Sequence, residues 1–390
     1  VIRDSKILEM IDFGSYMVFE DASIQTMNFI LQKNKSKDSY TFLYSKLVDH
    51  NKSNLDAIAL LDQEENVNNV VLAPILKRKD FVDKYLVFGN KQVSKLLSKI
   101  KAKSNFILDE KLEVAQGIVP NPDVIGTRNI KKIPTSEITK HKIVKGDGVF
   151  VVNRGFFKSL SSSESSFIKP VYEPYLCNRY SLGEFDKEMI YSTVDNSINK
   201  AHSNLYNHLS KYQVIMDERR ENLKGARSFY HLHWPRDPVF FQAGPKIISV
   251  RKCDKPTFIY SEKEVYVMMS FNVIKSDRIN LKYLTAILNS KLCEFWLKNK
   301  GKMQGDNFQI DKEPLLDIPI LKSNDKAIIF KISKLVDEIT LTIKNKTKAT
   351  TQKESEFLDH KITNLEGQIN NEVYKLYDIT TEEVAIIEQS

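Results

Sequence analysis

The amino-acid sequence predicts an α+β fold in three parts: a partial α/β sheet, a mixed β-rich middle and a C-terminal helical hairpin. Three observations carry that prediction. Apolar runs of strand length open the chain, turn residues crowd the stretch from about 106 to 320, and they almost vanish after 324.

Taken in order, residues 6–13 (KILEMIDF) read as a buried strand ending at Gly14, Ala22–Leu31 as a short amphipathic element, and Tyr40–Val48 as an alternating strand. About fifty residues are too few to close an α/β domain, so its other half is expected elsewhere. The chain opens Val1-Ile2-Arg3-Asp4 without a methionine, which reads as a fragment cut from a longer protein. Residues 50–105 are expected to be a helical connection. Within it, Val93, Leu96, Leu97 and Ile100 recur at helical spacing, while Lys91, Lys95 and Lys99 share another face. That lysine face is read as solvated, with phosphate tracking as the second possibility.

From 106 onward, Gly148–Asn153, Pro245–Val250, Thr257–Tyr260 and Glu264–Ser270 read as short strands, with helices at Ser203–Gln213 and Leu281–Leu297. Ser159–Ser166 reads as a flexible surface loop. Beyond 324, the stripes Ile332, Leu335, Val336, Ile339 and Ile362, Leu365, Ile369, Val373, Leu376 predict two helices joined near 347–351. Thr380 and Glu383 have capping-box spacing and start a last short helix.

The 390 residues suffice for two or three domains, and a net charge of +8 favours polyanionic partners. Cys177, Cys253 and Cys293 form no Cys-x-x-Cys pair, which argues against a zinc ribbon or redox pair and fits a reducing cytoplasm. No apolar run has transmembrane length, so no membrane partner is expected.

No Gly-rich phosphate loop, His-Glu-x-x-His, Gly-x-Ser-x-Gly or Glu-x-Lys triplet occurs, and Asp12-Phe13-Gly14 lacks a kinase context. His231 and His233 could approach a metal from one side of a strand, but with no third ligand nearby they read as hydrogen-bonding or stacking residues. No catalytic residue, metal ligand or cofactor is therefore expected in this chain. What stands out is a spread of cations, amides and aromatics across the β-rich region. Arg128, Arg154, Lys158, Arg179, Arg219, Arg227, Arg251 and Lys302 suit guanine edges and phosphates. Asn307 and Gln309 suit adenine, and Trp234, with Phe156-Phe157 and Phe229-Tyr230, offers stacking surface.

The order of segments from 112 to 320 resembles the TaqI-like C-terminal specificity domain of adenine-specific DNA methyltransferases and type IIG restriction–modification enzymes. The likeness rests on Gln116-Gly117-Ile118, on Phe167–Pro170 with Arg179-Tyr180 and Met189–Ser192, and on Arg219–Arg227 followed by Phe229, Tyr230 and Trp234. It continues through Pro245-Lys246-Ile247-Ile248, Leu288-Asn289-Ser290, Phe308–Lys312 and Ile318-Pro319-Ile320. Residues 7–48, with Phe19–Thr26, resemble the last strands of the methyltransferase domain, and Val373–Thr380 resembles the family's tail.

The resemblance implies four segments: a methyltransferase remnant over 1–50, a helical connection over 51–105, a target recognition domain over 106–322 and a helical tail over 323–390. It implies duplex DNA as partner, a covalently linked N-terminal methyltransferase domain in the parent, and S-adenosylmethionine as the parent's cofactor. The family's Gly-rich loop and its Asn-Pro-Pro-Tyr loop are absent, and Asn121-Pro122-Asp123 does not replace the latter. Lys246 and Asn289 read as structural signature residues. A type I-like specificity subunit and a protein-binding scaffold are the alternatives, the first lacking its second recognition repeat.

Overall fold

The structure, a computed structural model, describes residues 5–14, 16–19, 25–33, 39–47, 53–66, 68–77 and 91–389, without the side chains of Ile75, Lys77 and Lys91. Near the N-terminus, strands run in the order Met27–Gln32, Lys6–Asp12, Leu43–Leu47, Asn69–Leu72, with a parallel central pair and antiparallel outer pairs. Ile11, Phe13 and Leu47 meet Ala57 and Leu60 of the helix Asn54–Leu61. The opposite face carries Ile7, Met10, Phe42, Tyr44 and Leu76.

This region departs from the sequence reading in three places. Residues 50–105 are not a helical connection throughout: Asn69–Leu72 joins the sheet, and Ile75–Lys77 pairs with Ser39–Thr41. The β-branched run at Val70-Val71 favours an extended chain, which a helical pattern search passes over. The predicted strand Tyr40–Val48 breaks at Phe42, so its two halves join different ribbons, and Val48 itself lies outside the described residues. Of the Ala22–Leu31 element, 22–24 lie outside the described residues and Met27–Gln32 is an edge strand, with Met27, Phe29 and Ile30 exposed.

The middle of the chain holds two four-stranded sheets. One runs Tyr266–Val267, Ile168–Tyr172, Lys187–Ile190, Val151–Asn153; the other runs Phe258–Ser261, Lys246–Val250, Phe271–Ile274, Val114–Gln116. Strand alternation divides the second sheet between two cores. Ile248, Val250, Ile259 and Val273 enter a core shared with the first sheet. Ile247, Phe258 and Ile274 enter another, shared with the helices Leu281–Asn289 and Lys291–Lys300. Asn280 and Ser290 cap these helices with their side chains, which is why the predicted single helix Leu281–Leu297 breaks at Ser290. Asn289 bonds Phe258 in both directions, its Oδ1 accepting at 3.0 Å and its Nδ2 donating at 2.7 Å, and so fastens helix to sheet.

Ser159–Ser166 is a built element rather than a loose loop. Ser161 and Glu164 form a capping box on the turn Ser162–Ser165, and buried Glu164 accepts from Asn204 N at 2.8 Å.

The C-terminal helices Lys326–Lys346 and Gln352–Leu376 form the expected hairpin, and the Thr380–Glu383 capping box starts Thr381–Glu388. Ile332, Val336 and Ile339 share a core with Leu365, Ile369 and Val373, and the helix Lys91–Lys103 adds Leu96, Leu97 and Ile100. The lysines of that helix are partly committed to the tail. Lys99 reaches Glu383 and donates to the Asp378 carbonyl at 2.6 Å, Lys103 reaches Asp378, and Lys101 pairs with Asp317 at 3.1 Å. Among the described residues, no helix is long and apolar enough to cross a membrane.

Candidate nucleic-acid interface

The site is built around the segment Ser228–Arg236. Trp234 exchanges backbone hydrogen bonds with Val119 at 2.9 and 3.0 Å, which ties this segment to the residues that follow the strand Val114–Gln116. Gly117, two residues earlier, lies so close to the neighbouring chain that a Cβ there would sit 1.9 Å from the Met268 carbonyl oxygen. Only glycine permits that approach, which accounts for the Gln-Gly-Ile segment.

Arg219 organises the wall behind Trp234. Its Nε donates to the Met216 carbonyl at 3.0 Å, one terminal nitrogen to Asn121 and His231 at 3.2 and 3.0 Å, and the other to Ser228 and Phe229 at 3.2 and 3.3 Å. All five guanidinium N–H groups are thus spent on the chain's own carbonyls. Burial draws its pKa down to about 10, so the group keeps its proton at neutral pH. Arg219 therefore has no donor left for a base or phosphate; it shapes the surface that carries Trp234.

Trp234 itself is 40% exposed, with the Arg236 guanidinium 5.4 Å from its ring and the His233 ring 4.7 Å away. Arg236 also donates to the Gly117 carbonyl at 3.2 Å. Beside Trp234 lies a pocket of about 440 Å³ whose lining includes Asn121, Asn129, Lys132, Glu221 and His233. The other histidine, His231, contacts Ser197 Oγ at 2.8 Å and accepts from Ser228 N at 3.1 Å, and burial takes its pKa to about 4. Both histidines are thus hydrogen-bonding and stacking residues. No group of three or more metal-ligating side chains exists among the described residues.

The other candidates divide sharply. Arg179 donates to the Asn289 carbonyl and pairs with Glu366 at 3.0 Å, joining the β-rich body to the tail. Arg251 pairs with Asp311 and donates to the Met269 carbonyl at 2.6 Å; Gln309 donates to the same carboxylate at 2.8 Å, and Lys302 lies 3.5 Å from it. Three of the candidates therefore converge on one internal acid. Asn307 stands half-buried on the adjoining hairpin Met303–Gln309, with no side-chain hydrogen bond among the described residues.

Arg128, on the short helix Thr127–Ile130, and Lys158 are exposed and have no ion-pair partner among the described residues; Arg227 is half-buried near the charge of Arg219 and likewise unpaired among them. Arg154 lies over the Phe185 ring at 4.4 Å, at the start of a tight turn in which Gly155 has φ +72°. That turn presents Phe156, 51% exposed, supported edge-on by Phe157 and His208 at 5.0 and 5.3 Å.

The Trp234 and Asp311 groups are parts of one rim. Arg251 holds Met269, Met268 bridges Ile118, and Arg236 holds Gly117. Lys132, Glu221 and His233 acquire their place at the pocket only through folding. No spacing in the chain marks the Glu221–His233 pair.

Residues 192–320 match the family model of the TaqI-like C-terminal specificity domain. Among solved structures, the chain is similar to the type IIL restriction-modification enzyme MmeI, solved in complex with DNA. That likeness has 10% identity over 99% of this chain and 45% of that one, with a TM-score of 0.51, and is one of fold. The type IIG restriction endonuclease BpuSI aligns at 11% identity over 95% of this chain and 44% of its own, with a TM-score of 0.37. The chain spans less than half the length of either enzyme. No curated protein matches it in sequence. The likeness to TaqI-like C-terminal specificity domains thus spans residues 192–320 of the chain.

Proposed function

We propose that this chain reads duplex DNA sequence for a restriction–modification enzyme and presents a target adenine to a methyltransferase domain linked to its N-terminal side. The observation that carries this reading is the specificity-domain match over a body that leaves Arg128, Lys158 and Arg227 without ion-pair partners among the described residues and Trp234 and Phe156 exposed. Unpaired cations set register on phosphates, and side chains at the rim read base edges.

In this reading residues 1–50 continue a methyltransferase sheet. The unpaired edge of Met27–Gln32, with Phe29 and Ile30 exposed, supports a further strand there. Residues 51–105 lead into the recognition domain (106–322), and 323–390 brace it from behind. Association with DNA places the protein in the cytoplasm. S-adenosylmethionine would be held by the linked domain. Here the Asn121 carbonyl accepts from Arg219 and the Asp123 carbonyl from Val149 and Val151, so this segment serves the fold, and no residue of the chain is assigned to the cofactor.

The test is binding to random duplex DNA across a salt series, followed by selection of preferred sequences. Affinity should fall steeply with salt and enrich one short adenine-containing motif. Lys158→Ala should lower the salt slope by about one phosphate's worth, whereas Gln309→Ala leaves it unchanged. Enrichment of no motif overturns the reading.

A further inference from the structure

The pocket beside Trp234 has walls whose charges cancel. Lys132 pairs with Glu218 at 2.7 Å, Arg220 pairs with Glu221 at 2.9 Å, and Arg219 has no free donor. A phosphate has no unspent cation to meet there, whereas an uncharged, planar, polar-edged group does not need one. About 440 Å³ lies within the range of small-molecule sites and is ample for one nucleobase. Trp234 lines the pocket with a part-exposed aromatic ring, and Arg236 and His233 lie against that ring.

His233 also gives the pocket a directional polar group. It is 8% exposed, and its Nδ1 lies 3.0 Å from Glu221 Oε2, a close approach without hydrogen-bond geometry. Next to a carboxylate, that contact is attractive only when Nδ1 carries the proton. Burial holds the ring below its ordinary pKa, so at neutral pH the second nitrogen is bare. Nε2, which has no partner among the described residues, is then a hydrogen-bond acceptor.

We propose that this pocket takes one unpaired base displaced from the bound duplex, stacked on Trp234, with an amino group of adenine or cytosine donated to Nε2 of His233. The proposal rests on the DNA-recognition reading and adds to it a pocket for an extrahelical base. Displacing a base costs a few kcal/mol in an intact duplex and little where the base is already unpaired.

The experiment uses tryptophan fluorescence of the whole chain with three duplexes: fully paired, with one bulged dA, and with one bulged dT. The chain has two tryptophans, and Trp296 is buried, so a ligand-dependent change reports on Trp234. The bulged-dA duplex should quench Trp234 and bind about tenfold tighter than the paired one, as stacking of one base predicts. Bulged dT should quench but bind more weakly than dA, and His233→Ala should erase that difference while keeping the quench. Trp234→Phe should abolish the quench and retain salt-dependent binding to paired duplex. Equal binding of all three duplexes without quenching overturns the pocket and leaves the DNA reading standing. No binding to any of them overturns both.

Discussion

Replacing Arg219 with methionine tests whether this residue holds the fold or touches DNA. The substitution keeps most of the apolar stem and removes five donors. The carbonyls of Met216, His231 and Phe229 lose partners in buried surroundings, while those of Asn121 and Ser228 are nearer the surface. A buried acceptor left unpaired costs about 1–3 kcal/mol, so the three buried ones cost about 3–9 kcal/mol together. Against this stands the relief of no longer burying a cation, several kcal/mol in the opposite direction. We expect a net loss of about 3–4 kcal/mol. Arg219→Lys should recover only part of it, because an ammonium has three donors and cannot span five carbonyls. Urea unfolding followed by circular dichroism reads the loss as a fall in midpoint at constant slope. A methionine variant within about 1 kcal/mol of the parent, but with a reduced salt slope for DNA binding, would refute the argument and return Arg219 to the interface.

Further perturbations probe the surrounding scaffold. Burial alone would raise the pKa of Glu113, but hydrogen bonds from Arg278, Asp109 N and Ser276 bring it down to about 2 from an ordinary value near 4.5. Its contribution to stability is therefore complete above pH 4.5 and is lost as pH falls through 2. At about 1.4 kcal/mol per pH unit this amounts to roughly 3 kcal/mol, and Glu113→Gln should flatten that limb of a urea-midpoint profile between pH 6 and 2. Gly117→Ala drives a methyl into the Met268 carbonyl and should cost about 1–3 kcal/mol or more, seen as a lowered Tm. Tyr377→Phe removes an oxygen that donates to the Pro319 carbonyl at 2.7 Å and accepts from Leu321 N at 2.9 Å. A loss of about 2 kcal/mol is expected, with a urea midpoint to measure it.

Much of the architecture was legible because periodicity and capping are local. The stripe Ile332, Val336, Ile339 and the Thr380–Glu383 box each declare themselves within a few residues, and the structure has both. Phe42 was not legible as a break, since nothing in its neighbours says that the two halves of one apolar run belong to different ribbons. Nor was the order in Ser159–Ser166, where Glu164 is held by Asn204 from a distant helix. The candidate site shows the same limit more severely. Arg128 and Arg219 are chemically one residue type, yet one is exposed with no ion-pair partner among the described residues and the other is consumed by carbonyls spread from Asn121 to His231. A sequence announces that an arginine is there, while the contacts that spend it are settled only by the tertiary arrangement.

The strand Lys246–Val250 has a consequence of another kind. Its residues alternate between two cores, with Ile247 in the core that holds the helices Leu281–Asn289 and Lys291–Lys300 and Ile248 in the core shared with the other four-stranded sheet, and every one of its five positions is buried. It acts as a keel. Substitutions at exposed Trp234 and Phe156 leave it untouched, whereas a change in the keel is felt on both sides at once.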